Sequence, residues 1–107
     1  MEFQKLTNRA MDLRQQYEKK EIQLYGSPAT NEDLVQGLSG DAHNLLKLVM
    51  AEHGKREIAN SKEKLEAHLA HCLWSVIVLA KLQDIDVEQA FMRAMDRLES
   101  HLLDTPG

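Results

Sequence analysis

Between Leu69 and Ala80 almost every residue is apolar: Leu69, Ala70, Cys72, Leu73, Trp74, Val76, Ile77, Val78, Leu79 and Ala80. At 3.6 residues per turn these cover most of the circumference of one helix, so this segment has to be buried on several sides. A chain of 107 residues fits one domain and has few other elements with which to cover it. Three further helices can be read, enough to cover one or two of its faces. The remaining surface is expected to be covered by another subunit, giving a homodimer or homotetramer.

The other helices follow from apolar spacing and from their end signals. Phe3, Leu6, Ala10, Leu13 and Tyr17 draw a stripe at spacings of three and four, predicting a first helix from about Glu2 to Tyr25. Gly26-Ser27-Pro28 ends it, because Gly26 can adopt a left-handed cap and Pro28 cannot donate to the ladder. Thr30 or Asn31 is the expected cap of a second helix, with Glu32 and Asp33 placed against its positive end. Leu34, Leu38, Leu45 and Leu48 share one line of that helix, and Asp41 falls in the same line. Gly37 and Gly40 cost roughly 1 kcal/mol each against Ala inside a helix, and imply close packing or a local bend. After His53-Gly54, Asn60 with Glu63 reads as a capping box for the third helix. Asp86 with Gln89 opens the fourth, whose apolar face is Val87, Ala90, Phe91, Ala94, Met95, Leu98 and Leu102. The tail from Asp104 to Gly107 is expected to be loose. The fold class is all-α, four helices in one domain over residues 1–107, with short connections that favour antiparallel neighbours.

Charge and cysteine usage bound the partners. The net charge is −4, and no Lys/Arg cluster is dense enough to follow a phosphate backbone, which argues against a nucleic acid polymer as partner. A small anionic ligand needs only a few local cations. Cys72 is the only cysteine, so an intrachain disulfide is excluded and a reducing, cytoplasmic setting is expected. The first residues lack a basic and apolar leader pattern. No apolar stretch reaches membrane-spanning length, and no membrane partner is expected.

Two segments carry a family resemblance. One is Gly37-Leu38-Ser39-Gly40-Asp41-Ala42-His43-Asn44-Leu45-Leu46-Lys47-Leu48-Val49. The other runs from Leu69-Ala70-His71-Cys72-Leu73-Trp74 through Val76-Ile77-Val78-Leu79-Ala80 to Ile85-Asp86-Val87-Glu88 and Ala90-Phe91. Together they resemble the MazG-like nucleotide pyrophosphohydrolases, all-α nucleoside triphosphate pyrophosphatases, and the likeness covers most of the chain. The resemblance implies a four-helix MazG-like bundle completed by oligomerisation. Its chemistry would be attack of water on a nucleoside triphosphate, giving a monophosphate and pyrophosphate with the help of Mg²⁺. The family's ligands are Glu-Glu-x-x-Glu on the second helix and Glu-x-x-Asp on the third. In register these fall on Gly40, Asp41 and Asn44, and on His68 and His71.

Only Asp41 among those positions is a carboxylate, so hydrolysis is expected to be impaired or lost, leaving nucleotide binding or an oligomeric interaction role. Mg²⁺ prefers hard oxygen ligands, which Asp41 and the Asn44 carbonyl can supply and imidazoles cannot. His68 and His71, three apart on one face, form with Asp41 a set suited to a transition metal such as Zn²⁺, Mn²⁺ or Fe²⁺. An active hydrolase with such a rebuilt metal site is therefore the alternative reading, and a helical adaptor without ligand is a third. Each residue also has a plainer role. Lys64, His68, His71 and Ser75 form the one polar line of the third helix, its wet face. Asp41 and Asn44 can be satisfied by each other or by water. Trp74 is a candidate to stack on a base, although a tryptophan at this spacing is more often a core residue. Arg14 and Lys47, with Arg9, Lys55 and Arg56, are candidates for phosphate contacts. His43 reads as exposed or at a subunit contact, and Cys72 as a small buried hydrophobe.

Overall fold

The computed structural model describes residues 2–104. All regular structure among them is helical: α1 (Phe3–Tyr25), α2 (Asn31–Glu52), α3 (Ser61–Leu82) and α4 (Val87–Asp104). Asp104 closes α4; residues 105–107, where a loose tail is expected, lie outside the described residues.

Local chemistry accounts for most boundaries. Gly26 takes φ +84° and its N–H bonds to the Ile22 carbonyl at 2.9 Å, ending α1 in a left-handed cap. Thr30, not Asn31, caps α2. Its hydroxyl accepts from the Asp33 N–H at 3.1 Å while the Thr30 N–H donates to Asp33 Oδ2 at 2.9 Å, a reciprocal capping box. At α4 the Gln89 N–H donates to Asp86 Oδ1 at 3.1 Å. The box expected at Asn60 does not form. Asn60 is in the left-handed region (φ +55°), and its side chain makes no capping bond. An N-cap side chain reaches the N3 amide from extended backbone, a geometry that this turn denies it. The turn is pinned instead by the Ser61 hydroxyl, which donates to Glu52 Oε2 at 2.6 Å.

Helix α3 is the centre, as its apolar circumference requires: Ser75, Ile77, Val78 and Ala80 are buried. It packs chiefly against α2, then α1, and least against α4. Ala10, Ile77 and Val78 form the core cluster, with Phe3, Leu6, Met11, Leu34 and Trp74 packed around it. Ser75 therefore leaves the wet line on which the sequence places it, because its position faces the same contact as Val78. Of the two alternatives raised for Gly37 and Gly40, close packing is not seen among the described residues. A Cβ built at either meets nothing within 4 Å, so no close approach is made there inside the chain. By length and composition α3 is apolar enough to cross a membrane, a trait it shares with central core helices of ordinary folded domains; His68, His71 and Ser75 interrupt the run without lowering its average below that level.

The molecule is open for its size. Its radius of gyration is 17.2 Å, against about 13 Å for a compact domain of this length. No residue of α4 is buried.

Candidate functional site

A cleft of about 690 Å³ lies where α1, α2 and α3 meet. Its wall is mostly apolar, from Ala10, Leu13, Leu34, Ala70, Leu73 and Ile77, with the rings of Tyr17 and Trp74. These rings stand 5.8 Å apart at 45°. The Trp74 Nε1–H donates to the Ala10 carbonyl at 3.1 Å, which fixes the indole against α1 and satisfies its one donor. Gly37 lies in the wall between Asp33 and Asp41, where the missing side chain leaves the backbone approachable.

The polar groups of the cleft divide into committed and free. Arg14 is buried, with 2% of its surface exposed. Its Nη1 donates to Glu21 at 3.2 Å and its Nη2 to the Ala29 carbonyl at 3.1 Å. Its Nε lies 3.3 Å from Glu18 Oε1, an ion pair without hydrogen-bond alignment. Glu21 Oε1 also accepts the Ala29 N–H at 2.9 Å. This network ties α1 to the turn before α2, and it occupies both Arg14 and Glu21. Asp33 is held in the α2 cap, where the Thr30 backbone N–H and then the Thr30 hydroxyl hold its carboxyl below the usual range. Among the described residues Arg9 and Asp41 remain as the cation and carboxylate of this cleft without such an anchor.

Asp41, His71, Trp74 and Arg14 are thus brought together around one cavity; Asn44, His68 and Lys47 do not line it. Asp41 and His68 are half-buried at its edge, with His68 Nε2 at 4.0 Å from Asp41 Oδ1. His68 Nδ1 sits 2.9 Å from the Lys64 carbonyl and must be the protonated nitrogen of that contact. His71 is exposed, its ring centre 6.0 Å from that of His68. No hydrogen bond joins Asp41 to Asn44 among the described residues, and Asn44 and Lys47 are half-buried on α2. Lys55, Arg56 and His43 are exposed. Cys72 is half-buried; burial and then the Asp41 carboxylate push its thiol up, which keeps it protonated and unreactive.

Tyr17 and Glu21 were not legible as site residues. Tyr17 reads as one member of an apolar stripe, and Glu21 as surface. The available signal was their spacing with Ala10 and Arg14, positions 10, 14, 17 and 21 lying on one face of α1. Among the described residues no group of three or more His, Cys, Asp or Glu is gathered as a metal site. Comparison with protein-family models, curated proteins and solved structures gives no match to this chain.

Proposed function

We propose that this chain is a MazG-like helical protein that binds a nucleotide in the α1/α2/α3 cleft and has lost Mg²⁺-dependent hydrolysis. One observation carries this reading. Of the three carboxylates that line the cleft, Glu21 is held by Arg14 and Asp33 by the α2 cap, leaving Asp41 alone. A single carboxylate beside imidazoles does not fit Mg²⁺, which takes oxygen ligands in octahedral geometry. Binding is supported by the aromatic pair Tyr17 and Trp74, which offers a face to a base. Arg9 at the rim is one cation, enough to pair with one phosphoryl group rather than three. The class favoured is a nucleoside monophosphate.

The experiment combines turnover and binding. Nucleoside triphosphates are incubated with the protein and Mg²⁺, and pyrophosphate is followed; no release is expected. Trp74 is the only tryptophan, so its fluorescence reports on the cleft, and saturable quenching by a nucleoside monophosphate is expected. Arg9→Ala should weaken the monophosphate about tenfold and leave the nucleoside unaffected. Turnover with Mg²⁺, or fluorescence indifferent to every nucleotide, rejects the proposal.

The second reading, a hydrolase with a histidine-containing metal site, has one observation in its favour. With its proton on Nδ1 toward the Lys64 carbonyl, His68 directs the Nε2 lone pair to the Asp41 side, the orientation common in metal-ligating histidines. Stoichiometric Zn²⁺ or Mn²⁺ retained through dialysis and lost in His68→Ala would favour it over the first.

A further inference from the structure

Ser75 is a buried polar side chain for which the chain supplies no partner. It is 6% exposed and sits with Trp74 and Ile77 in the wall of the cleft. A serine inside a helix can return its hydroxyl to the carbonyl four residues back. Here that bond to His71 is not made, and among the described residues the Ser75 side chain makes no other hydrogen bond. Arg14 Nε is the one fully enclosed polar side-chain atom without a hydrogen bond among them, so the Ser75 hydroxyl is open to the cleft rather than sealed in the core. An unpaired buried hydroxyl lowers stability, and a methyl group would fill the same place without that loss. The group is placed for something that enters the cleft.

Asp41 stands along the same side of α3. His68, Cys72 and Ser75 recur at spacings of four and three, which puts them on one helix face. Asp41 Oδ1 is 4.0 Å from His68 Nε2. Burial and then the Asp41 carboxylate raise the Cys72 thiol, so the carboxylate stands near Cys72 as well. Ser75 follows one to two turns further on, about 5–10 Å. Asp41 and Ser75 both line the cleft whose wall carries the Tyr17 and Trp74 rings. Hydrogen bonds of about 2.9 Å from each group reach the two ends of one purine edge.

The pattern of donors and acceptors selects the base. A carboxylate only accepts, whereas a hydroxyl donates or accepts. Guanine presents its ring N1–H and exocyclic amino group side by side, a fork for the two oxygens of one carboxylate. Its O6 comes next along the edge and accepts from a hydroxyl. Adenine and cytosine set a ring-nitrogen lone pair beside the amino group, and uracil sets carbonyl oxygens on both sides of N3–H. Each of these turns an acceptor toward Asp41 and is repelled.

We propose that Asp41 and Ser75 read the base edge of a guanine nucleotide, the N1–H and the amino group donating to the Asp41 carboxylate and the Ser75 hydroxyl donating to O6. This rests on the nucleotide reading and names its base. It also gives Asp41 a role that needs no metal. The test is titration calorimetry of the full chain, in EDTA, with the monophosphates of guanosine, inosine, adenosine, cytidine and uridine. The guanosine compound is expected to bind about tenfold or more tightly than the other four. Inosine monophosphate is the closest comparison, because it lacks only the amino group. Asp41→Asn should bring guanosine monophosphate down to the affinity of the adenosine compound, since an amide offers one acceptor oxygen where the fork needs two. Ser75→Ala should weaken guanosine monophosphate about tenfold and yet raise the Tm of the free protein, because it removes an unpaired buried hydroxyl. A serine with only a structural role would lower the Tm and leave base preference unchanged. Equal binding of all five, a guanine preference that both variants retain, or binding that requires Mg²⁺ in place of EDTA overturns the guanine assignment and leaves the nucleotide reading standing. Absence of binding by all five overturns both.

Discussion

His68 Nε2 faces Asp41 Oδ1 across 4.0 Å, while His68 Nδ1 is held by the Lys64 carbonyl. With the proton on Nδ1, two acceptors oppose each other and nothing is shared between them. Acidic side chains at the four altered positions would turn this edge of the cleft into an oxygen-rich site. The change Gly40→Glu, Asn44→Glu, His68→Glu and His71→Asp is expected to create Mg²⁺ binding. A side chain at 40 has room, since a Cβ there meets nothing within 4 Å. Because the metal binds only the folded chain, the variant's Tm should rise with added Mg²⁺ and the wild type's should not. Calorimetric unfolding across a Mg²⁺ series checks this, and a flat series for the variant would reject the mapping.

Arg14 is a structural cation, and its loss should be severe. Arg14→Ala leaves Glu21 half-buried with only the Ala29 N–H and frees the turn before α2. Breaking one side of a buried pair costs about 3–5 kcal/mol; the partial exposure of Glu21 puts the expected loss nearer 2–3 kcal/mol. Arg14→Lys should recover only part of it, since an ammonium cannot span Glu21 and the Ala29 carbonyl as the fork does. Urea unfolding followed by circular dichroism measures both; a loss under about 0.5 kcal/mol for Ala, the range of ordinary surface changes, would refute the role.

The glycines should respond with opposite signs. Gly26 needs φ +84° to cap α1, so Gly26→Ala should destabilise by about 1 kcal/mol although its surroundings are open. Gly40 is helical with free space around its missing Cβ, and Gly40→Ala should stabilise by about 0.5–1 kcal/mol. The pair of unfolding midpoints is the check. A destabilised Gly40→Ala would mean that something outside the isolated chain approaches that backbone.

The helical frame was legible where its signals were local. Gly26, Thr30 and Asp86 each decide a boundary through atoms within four residues, and the apolar circumference of α3 announced its central place. Asn60 carried the same letters as a capping box and failed, because the turn from α2 set its backbone left-handed. The site was legible only in part for a similar reason. Asp41, His71 and Trp74 could be placed on their helix faces from sequence. The consumption of Arg14, Glu21 and Asp33 depends on a turn that brings the Ala29 peptide against α1, which no periodicity records.

The capping box at α2 also sets a pH dependence. The Thr30 backbone N–H and hydroxyl lower the Asp33 pKa in the folded chain relative to its unfolded value near 3.9. The unfolded chain therefore binds a proton at higher pH than the folded one, and stability falls where it does so. Asp33's contribution is complete above the unfolded value and is lost as pH falls through the lower folded value. Asp33→Asn removes this acid limb, since its neutral amide can still accept from Thr30 but does not titrate. The difference in stability between wild type and Asp33→Asn should be constant from neutrality down to about pH 5. Below that it should shrink as the wild-type carboxyl takes up its proton. Urea midpoints for both proteins across that range test the assignment, and parallel curves down to the acid transition would show that the Thr30–Asp33 contact does not persist in solution.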